Sequence, residues 1–271
     1  MVENGKVRHP DPIEGKMAMR KTVLLGLLAG LPTVAAAADL TQRDAGCQHI
    51  ATVQYLDCEV AVLYSCPAVK GLASPLVREE SYTDKGLNSF EVDTANGGMV
   101  VTGDAQGSYL IRTDTPTLVE TAMADVIKTG HGLFKAEGSV TMFGAKKPAG
   151  QKITVTATGE TAVLNGQNML VFTANVAIDL PAPMGPAVTV SKAYLVPSLG
   201  VYLAGEETSG TYFKPDDTPH KPMAIAMPGT PEFDKTKPGF CGGSLSLLES
   251  PRLPDTPKLP AKPNLTDGVP A

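Results

Sequence analysis

Between Lys152 and Thr158 apolar and polar positions alternate without a break, with Ile153, Val155 and Ala157 on one side and Thr154, Thr156 and Thr158 on the other. A period of two marks a strand with one buried face. After Ala162, Val163 and Leu164 comes Asn165-Gly166, the pair best able to supply positive φ at both corners of a type I′ turn. Leu170, Phe172, Ala174, Val176 and Ile178 then line one face of a second run, which predicts a β-hairpin. Further strands are predicted over 58–65, 89–93, 99–102, 108–112, 132–143, 187–196 and 201–206, joined by segments rich in Gly, Pro, Asn and Asp. An antiparallel sheet of roughly eight to ten such strands has to curl or close to cover its apolar face.

One helical pattern interrupts the strands. Thr115 can cap, Pro116 suits the first helical position, and Leu118, Val119, Ala122, Met123, Val126 and Ile127 fall on one stripe before Lys128 and Gly130. This predicts a helix from Pro116 to Lys128 packed on the concave face of the sheet, supplying core or covering an apolar cavity as a lid. The cavity would be lined by Leu170, Phe172, Val176 and Ile178 from the strands and by Leu118, Met123 and Val126 from the helix. The expected fold is mainly β, an antiparallel open or half-closed barrel with one packed helix over 39–213.

From Lys214 the pattern changes. Twelve prolines lie between Pro215 and Pro270, and Pro251, Pro254, Pro257, Pro260 and Pro263 recur every third residue. Three residues per turn is the polyproline II repeat, so 214–271 is read as a semi-rigid spacer or disordered proline-rich tail. Its PxxP spacing would also suit a partner's aromatic groove.

The stretch from Met19 to Ala38 reads as a secretory signal peptide. Arg20 and Lys21 form its charged start, Val23 to Leu31 its apolar middle, and Ala35 to Ala38 a cleavage site before Asp39. Residues 1–18 then stand as a leader or an artefact of the assigned start. The apolar stretch is short for a membrane span and is interrupted by Pro32, so no transmembrane segment is expected after cleavage. The expected location is periplasmic or secreted, where Cys47, Cys58, Cys66 and Cys241 become crosslinks. Three pairings are open. Reading 58–66 as one continuous strand separates those two thiols, which favours Cys47 with Cys58 and Cys66 with Cys241.

The chain carries 23 basic and 28 acidic residues, and loss of 1–38 would leave it more acidic still. No basic cluster is available for nucleic acid. The chain has no Trp. It also lacks a G-x-S-x-G elbow, an S-x-x-K pair, an H-E-x-x-H helix and a phosphate-cradling glycine loop. Cys47, His49 and Cys58 do not match a zinc spacing. The pairs Glu79-Glu80, Glu206-Glu207 and Asp216-Asp217 read as solvated strand ends and loop. No catalytic residue, metal or cofactor is assigned.

The run from Gly150 to Gly159, the hairpin from Leu164 to Phe172, and Ala193 to Tyr202 with its Tyr194-Leu195-Val196-Pro197-Ser198-Leu199-Gly200 segment together resemble the closing strands of uncharacterised bacterial periplasmic half-barrel proteins. The wider architecture is similar to that of the LolA and LolB lipoprotein carriers, whose curved sheets with helical plugs hold acyl chains. That resemblance implies a non-enzymatic binding or envelope-assembly protein holding a lipid or a partner's hydrophobic segment. The alternative is a structural component of an envelope complex that uses its proline-rich tail as an arm.

Overall fold

The computed structural model describes residues 39–239, apart from 181, 183–184 and 212–218. The expected signal peptide, Asp216-Asp217, Cys241 and the proline period at 251–263 lie outside the described residues. The described strands are β1 (Gln48–Tyr55), β2 (Val60–Cys66), β3 (Leu76–Thr83), β4 (Gly86–Asp93), β5 (Met99–Asp104), β6 (Tyr109–Thr113), β7 (Val119–Glu120), β8 (His131–Met142), β9 (Ala145–Leu164), β10 (Gln167–Asp179), β11 (Pro186–Val196), β12 (Val201–Gly210) and β13 (Pro222–Ala226). They form one antiparallel 13-stranded sheet in the order β12-β11-β10-β9-β8-β6-β5-β4-β3-β2-β1-β13, with β7 pairing β8 off that path. The predicted hairpin is β9 and β10, and Asn165 and Gly166 sit at φ 48° and 80°, as a type I′ turn requires.

The register shows how the sheet rolls. Ala51, Leu63, Glu79, Glu91, Thr102, Ile111 and Val140 are successive cross-strand partners from β1 to β8, so all seven share one face. Directly paired residues keep their side chains on one side of a pleated sheet. Following the alternation along β8 and onward, this luminal face continues through Phe134, Ile153 and Val176, and then through Leu170, Leu195 and Tyr202. The opposite face of β10 to β12 carries Met169, Val171, Tyr194, Val196, Val201 and Leu203. Those side chains pack against Ala51, Val53, Tyr55, Ala61, Leu63 and Ile225, which lie on the luminal face of β1, β2 and β13. The two ends of the sheet therefore overlap instead of bonding edge to edge. The result is a nearly closed barrel with an unsealed seam, in which the adjoining segments 169–174, 193–196 and 201–203 of β10 to β12 are covered on both faces. At the seam the Asn165 side chain accepts a hydrogen bond from the Ile225 amide, 2.9 Å away.

Three expectations are corrected. The helix is shorter than predicted: Thr115–Thr117 form a single 3₁₀ turn, Leu118 is extended, β7 pairs with β8, and only α1 (Met123–Thr129) is α-helical. Backbone pairing of Val119 with Lys135 outcompetes the start of the apolar stripe. Past the expected boundary at Phe213, β13 joins β1, because Ile225 completes the overlapped core. Finally, Cys47 is bonded to Cys66, not Cys58. In the β1–β2 hairpin Gln48 is paired with Ser65, which sets Cys47 opposite Cys66 with their Cα atoms 4.0 Å apart. Cys58, at positive φ in the turn, is also disulfide-bonded.

The convex face of β2 to β5 is covered as well. Cys66, Leu76, Phe90, Val92 and Val101 pack under Leu40, Cys47, Val69 and Leu72. The segment before β1 is held there by Arg78, whose guanidinium donates to Glu80 Oε1 at 2.8 Å and to the Leu40 carbonyl at 3.0 Å. Arg43 and Tyr82 also bond Glu80. A cleft of about 300 Å³ lies beneath this segment, but its arginines are already engaged in these contacts. Replacing both Cys47 and Cys66 by Ala opens a link across a sequence separation of 19. The expected loss is about 3 kcal/mol, read as a lower urea midpoint; an unchanged midpoint would mean that pairing of β1 with β2 alone holds this end.

Candidate functional site

Four of the seven expected cavity residues meet in one cluster on the luminal face. Val126 and Phe172 are buried with Phe134, Val155 and Leu195, and Leu170 and Met123 pack against them. Val176 and Ile178 continue the same face of β10 opposite Ile153 and Gln151, half-buried. Leu118 stands apart, beside Gly98. Tyr202 closes the cluster, meeting Phe134 and Phe172 edge to face with ring centroids 6.4 and 6.1 Å away. The β4–β5 turn approaches so closely that a Cβ on Gly97 would lie 2.7 Å from the Tyr202 ring, and Gly97 has φ 84°. Only glycine satisfies both demands.

Helix α1 seats on this wall through Val126, its one buried residue, while Ile127 is 43% exposed. Its N-cap residue, Ala122, supplies no side-chain bond; Gly130 in the left-handed region ends it. The Met123 amide donates to Asn96, which also donates to Glu120, and Thr94 donates to the same carboxylate. The helix is thus tied to the β4–β5 turn by polar groups and to the wall by Val126 and Met123.

The other side of the lumen is acidic. Glu79 on β3 and Glu91 on β4 are direct cross-strand partners, and Asp93 follows two positions later on the same face. This overturns the reading of Glu79-Glu80 as solvated. Glu80 is 5% exposed on the convex face, and Glu79 points inward between Leu63 and Glu91. Glu79, Glu91 and Asp93 are half-buried residues on this face. Burial pushes the Glu79 carboxyl up to about 8, with Glu91 and Glu59 adding to the rise and His220 opposing it. Burial likewise raises Glu91 and, further, Asp93, on which Glu91, Glu79 and Glu120 all act. Asp93 and Glu91 hydrogen-bond to each other. Among the described residues no lysine or arginine is one of the largest influences on any of the three.

Unpartnered polar atoms flank this row. Tyr55 is 2% exposed, its hydroxyl has no hydrogen-bond partner, and Glu79 is the nearest charge in its field. Its ring stacks on His220 at 4.0 Å, and His220 Nδ1 lies 2.8 Å from Asp57. At the other end Gln151, 9% exposed, donates through Nε2 to the carbonyl of Met99, the partner of Asp93, and leaves Oε1 unbonded. Asp93 Oδ1 and the Tyr202 hydroxyl are also buried without partners. Buried polar groups are normally paired, so atoms of this kind gathered on one face imply water or a guest.

The arrangement does not assemble a hydrolytic centre. His49 reaches Thr52 at 2.9 Å, but Thr52 is fully buried and gives its hydroxyl proton to the Phe233 carbonyl. His131 is exposed at the start of β8. Among the described residues no group of three His, Cys, Asp or Glu is placed to hold a metal ion. No protein-family model, curated protein or solved structure matches the chain.

Because the folded state keeps a proton on Glu79 that the unfolded chain releases, Glu79 adds stability below about pH 4.5, and that contribution falls away as pH rises to about 8. Glu91 and Asp93 act in the same direction. Glu79→Gln is expected to flatten the fall of melting temperature over this range; curves of equal slope for both proteins would remove Glu79 as the source.

Proposed function

We propose that this is an exported, non-enzymatic binding protein of the bacterial envelope that holds a hydrophobic guest, a lipid or an apolar segment of a partner, in its barrel lumen. The observation that carries this reading is the seating of α1: a seven-residue helix, whose own N-cap residue supplies no side-chain bond, covers an apolar wall through buried Val126 and half-buried Met123. So short a helix has little stability of its own in water and owes its shape to the surface it covers. Displacing it would uncover Phe134, Val155, Phe172 and Leu195 beside the luminal space.

The test is titration of the full chain with cis-parinaric acid, an acyl chain whose fluorescence rises on leaving water. Wild type is expected to bind saturably. Val126→Ala, which loosens the plug by about 2 kcal/mol, should bind more tightly because less contact has to be broken before the guest enters. Absence of saturable binding, or weaker binding by a folded Val126→Ala protein, would overturn the proposal.

A further inference from the structure

We infer that the guest carries a protonated amine, and that the luminal row Glu79, Glu91 and Asp93, flanked by Tyr55 and Gln151, is the site that receives it. The inference rests on the binding reading above and adds the chemistry of the guest's polar end.

Two independent features of the lumen ask for the same group. The first is charge: three carboxyls from adjacent strands share one face, and among the described residues no lysine or arginine is one of the largest influences on them. The basic group that acts on Glu79 most strongly is His220, beside Asp57 and Glu59. The second is hydrogen bonding: the unbonded buried atoms at the row and its ends are Asp93 Oδ1, Gln151 Oε1 and the Tyr55 hydroxyl oxygen. Gln151 Oε1 can only accept, and Asp93 Oδ1 and the Tyr55 hydroxyl oxygen can accept. A donating guest satisfies all three, and a positive one suits the carboxyls once they ionise. An alkylammonium does both with three N–H donors on one compact charge. A carboxylate or phosphate head would meet acids and unfilled acceptors, and a hydroxyl would meet no compensating charge.

The apolar wall meets this row inside one lumen. Asp93 leads into the β4–β5 turn that lies against Tyr202, and Gln151 is two positions from Ile153 on the same face of β9. An alkyl chain placed along Tyr202, Phe134 and Phe172 would therefore carry an amine at its end toward Asp93 and Gln151. Entry of the ammonium converts a protonated carboxyl to carboxylate, and the released proton passes to the solvent. Binding should tighten as pH rises while the amine stays charged.

The experiment compares dodecylammonium, dodecanol and dodecanoate by calorimetry with the full chain, in two buffers of different ionisation enthalpy, between about pH 6 and about pH 9. Dodecylammonium is expected to bind about tenfold or more tighter than dodecanol, the scale of one charge-assisted hydrogen bond, and to release protons. Dodecanoate should bind weakest. Glu79→Gln and Asp93→Asn should each reduce the preference for the amine while leaving dodecanol binding in place, which shows that the barrel remains folded. Equal binding of amine and alcohol, a preference for dodecanoate, or amine binding without proton release overturns the amine site and leaves the apolar binding reading standing. Failure of all three to bind overturns both.

Discussion

Burial on both faces of the adjoining segments 169–174, 193–196 and 201–203 of β10 to β12 is the constraint on which the rest of this structure depends. A sheet closed edge to edge would need β12 and β13 to pair along their length. Here the sheet overlaps itself, and closure rests on side chains: Met169, Val171, Tyr194, Val196, Val201 and Leu203 against Ala51, Val53, Tyr55, Leu63 and Ile225. The same strands present Phe172, Leu195 and Tyr202 to the lumen. One set of strands thus serves as core for the seam and as wall for the interior, so a change in the packing of the seam alters the shape of the lumen. Interiors packed to this density pass small shifts on to their neighbours.

The acid row shows what the luminal face is not built to do. A core optimised only for stability would place apolar residues at Glu79, Glu91 and Asp93, since a buried carboxyl without a cationic partner has to hold a proton or bear the cost of charge in a poorly solvated space. The convex face of the same strands does supply compensation. Glu80 is held by Arg78, Arg43 and Tyr82, and these bonds fix the segment before β1. Adjacent residues of β3 therefore have opposite fates: Glu80 is engaged by two arginines and a tyrosine, and Glu79 lies on the luminal face with Ser81 as its hydrogen-bond donor.

Much of the fold was legible because several strands have a single buried face. The alternation of Ile153, Val155 and Ala157 and the Asn165-Gly166 turn specified the β9–β10 hairpin, although β9 extends well before the alternating run, to Ala145. β3 was missed because Arg78, Glu79 and Glu80 put charge on both faces, and only the covered convex side and the polar lumen make that tolerable. β1 was missed for a related reason: Thr52 and Gln54 are buried on its outer side, where the segment through Phe233 and Gly239 bonds them. Without β1 the hairpin register was invisible, and with it the pairing of Cys47 with Cys66. The apolar stripe from Leu118 to Ile127 was real as sequence, but it divides between a strand and a helix. The luminal wall was legible at Phe172 and Val126; the acid row was not, since it arises from register between strands.

The free edge of β1 is covered by β13, far along the chain, with Thr52 paired to Ala226 and Val53 to Ile225. A polypeptide emerging N-terminus first therefore exposes the free edge of β1 throughout most of its synthesis, with the strand that covers it not yet made. Such long-range closure is slow, and the waiting edge is open to pairing with other chains. Folding of this barrel is thus confined to the time after its final strand has emerged, and a chaperone that shields an unpaired strand edge would act on it before that point.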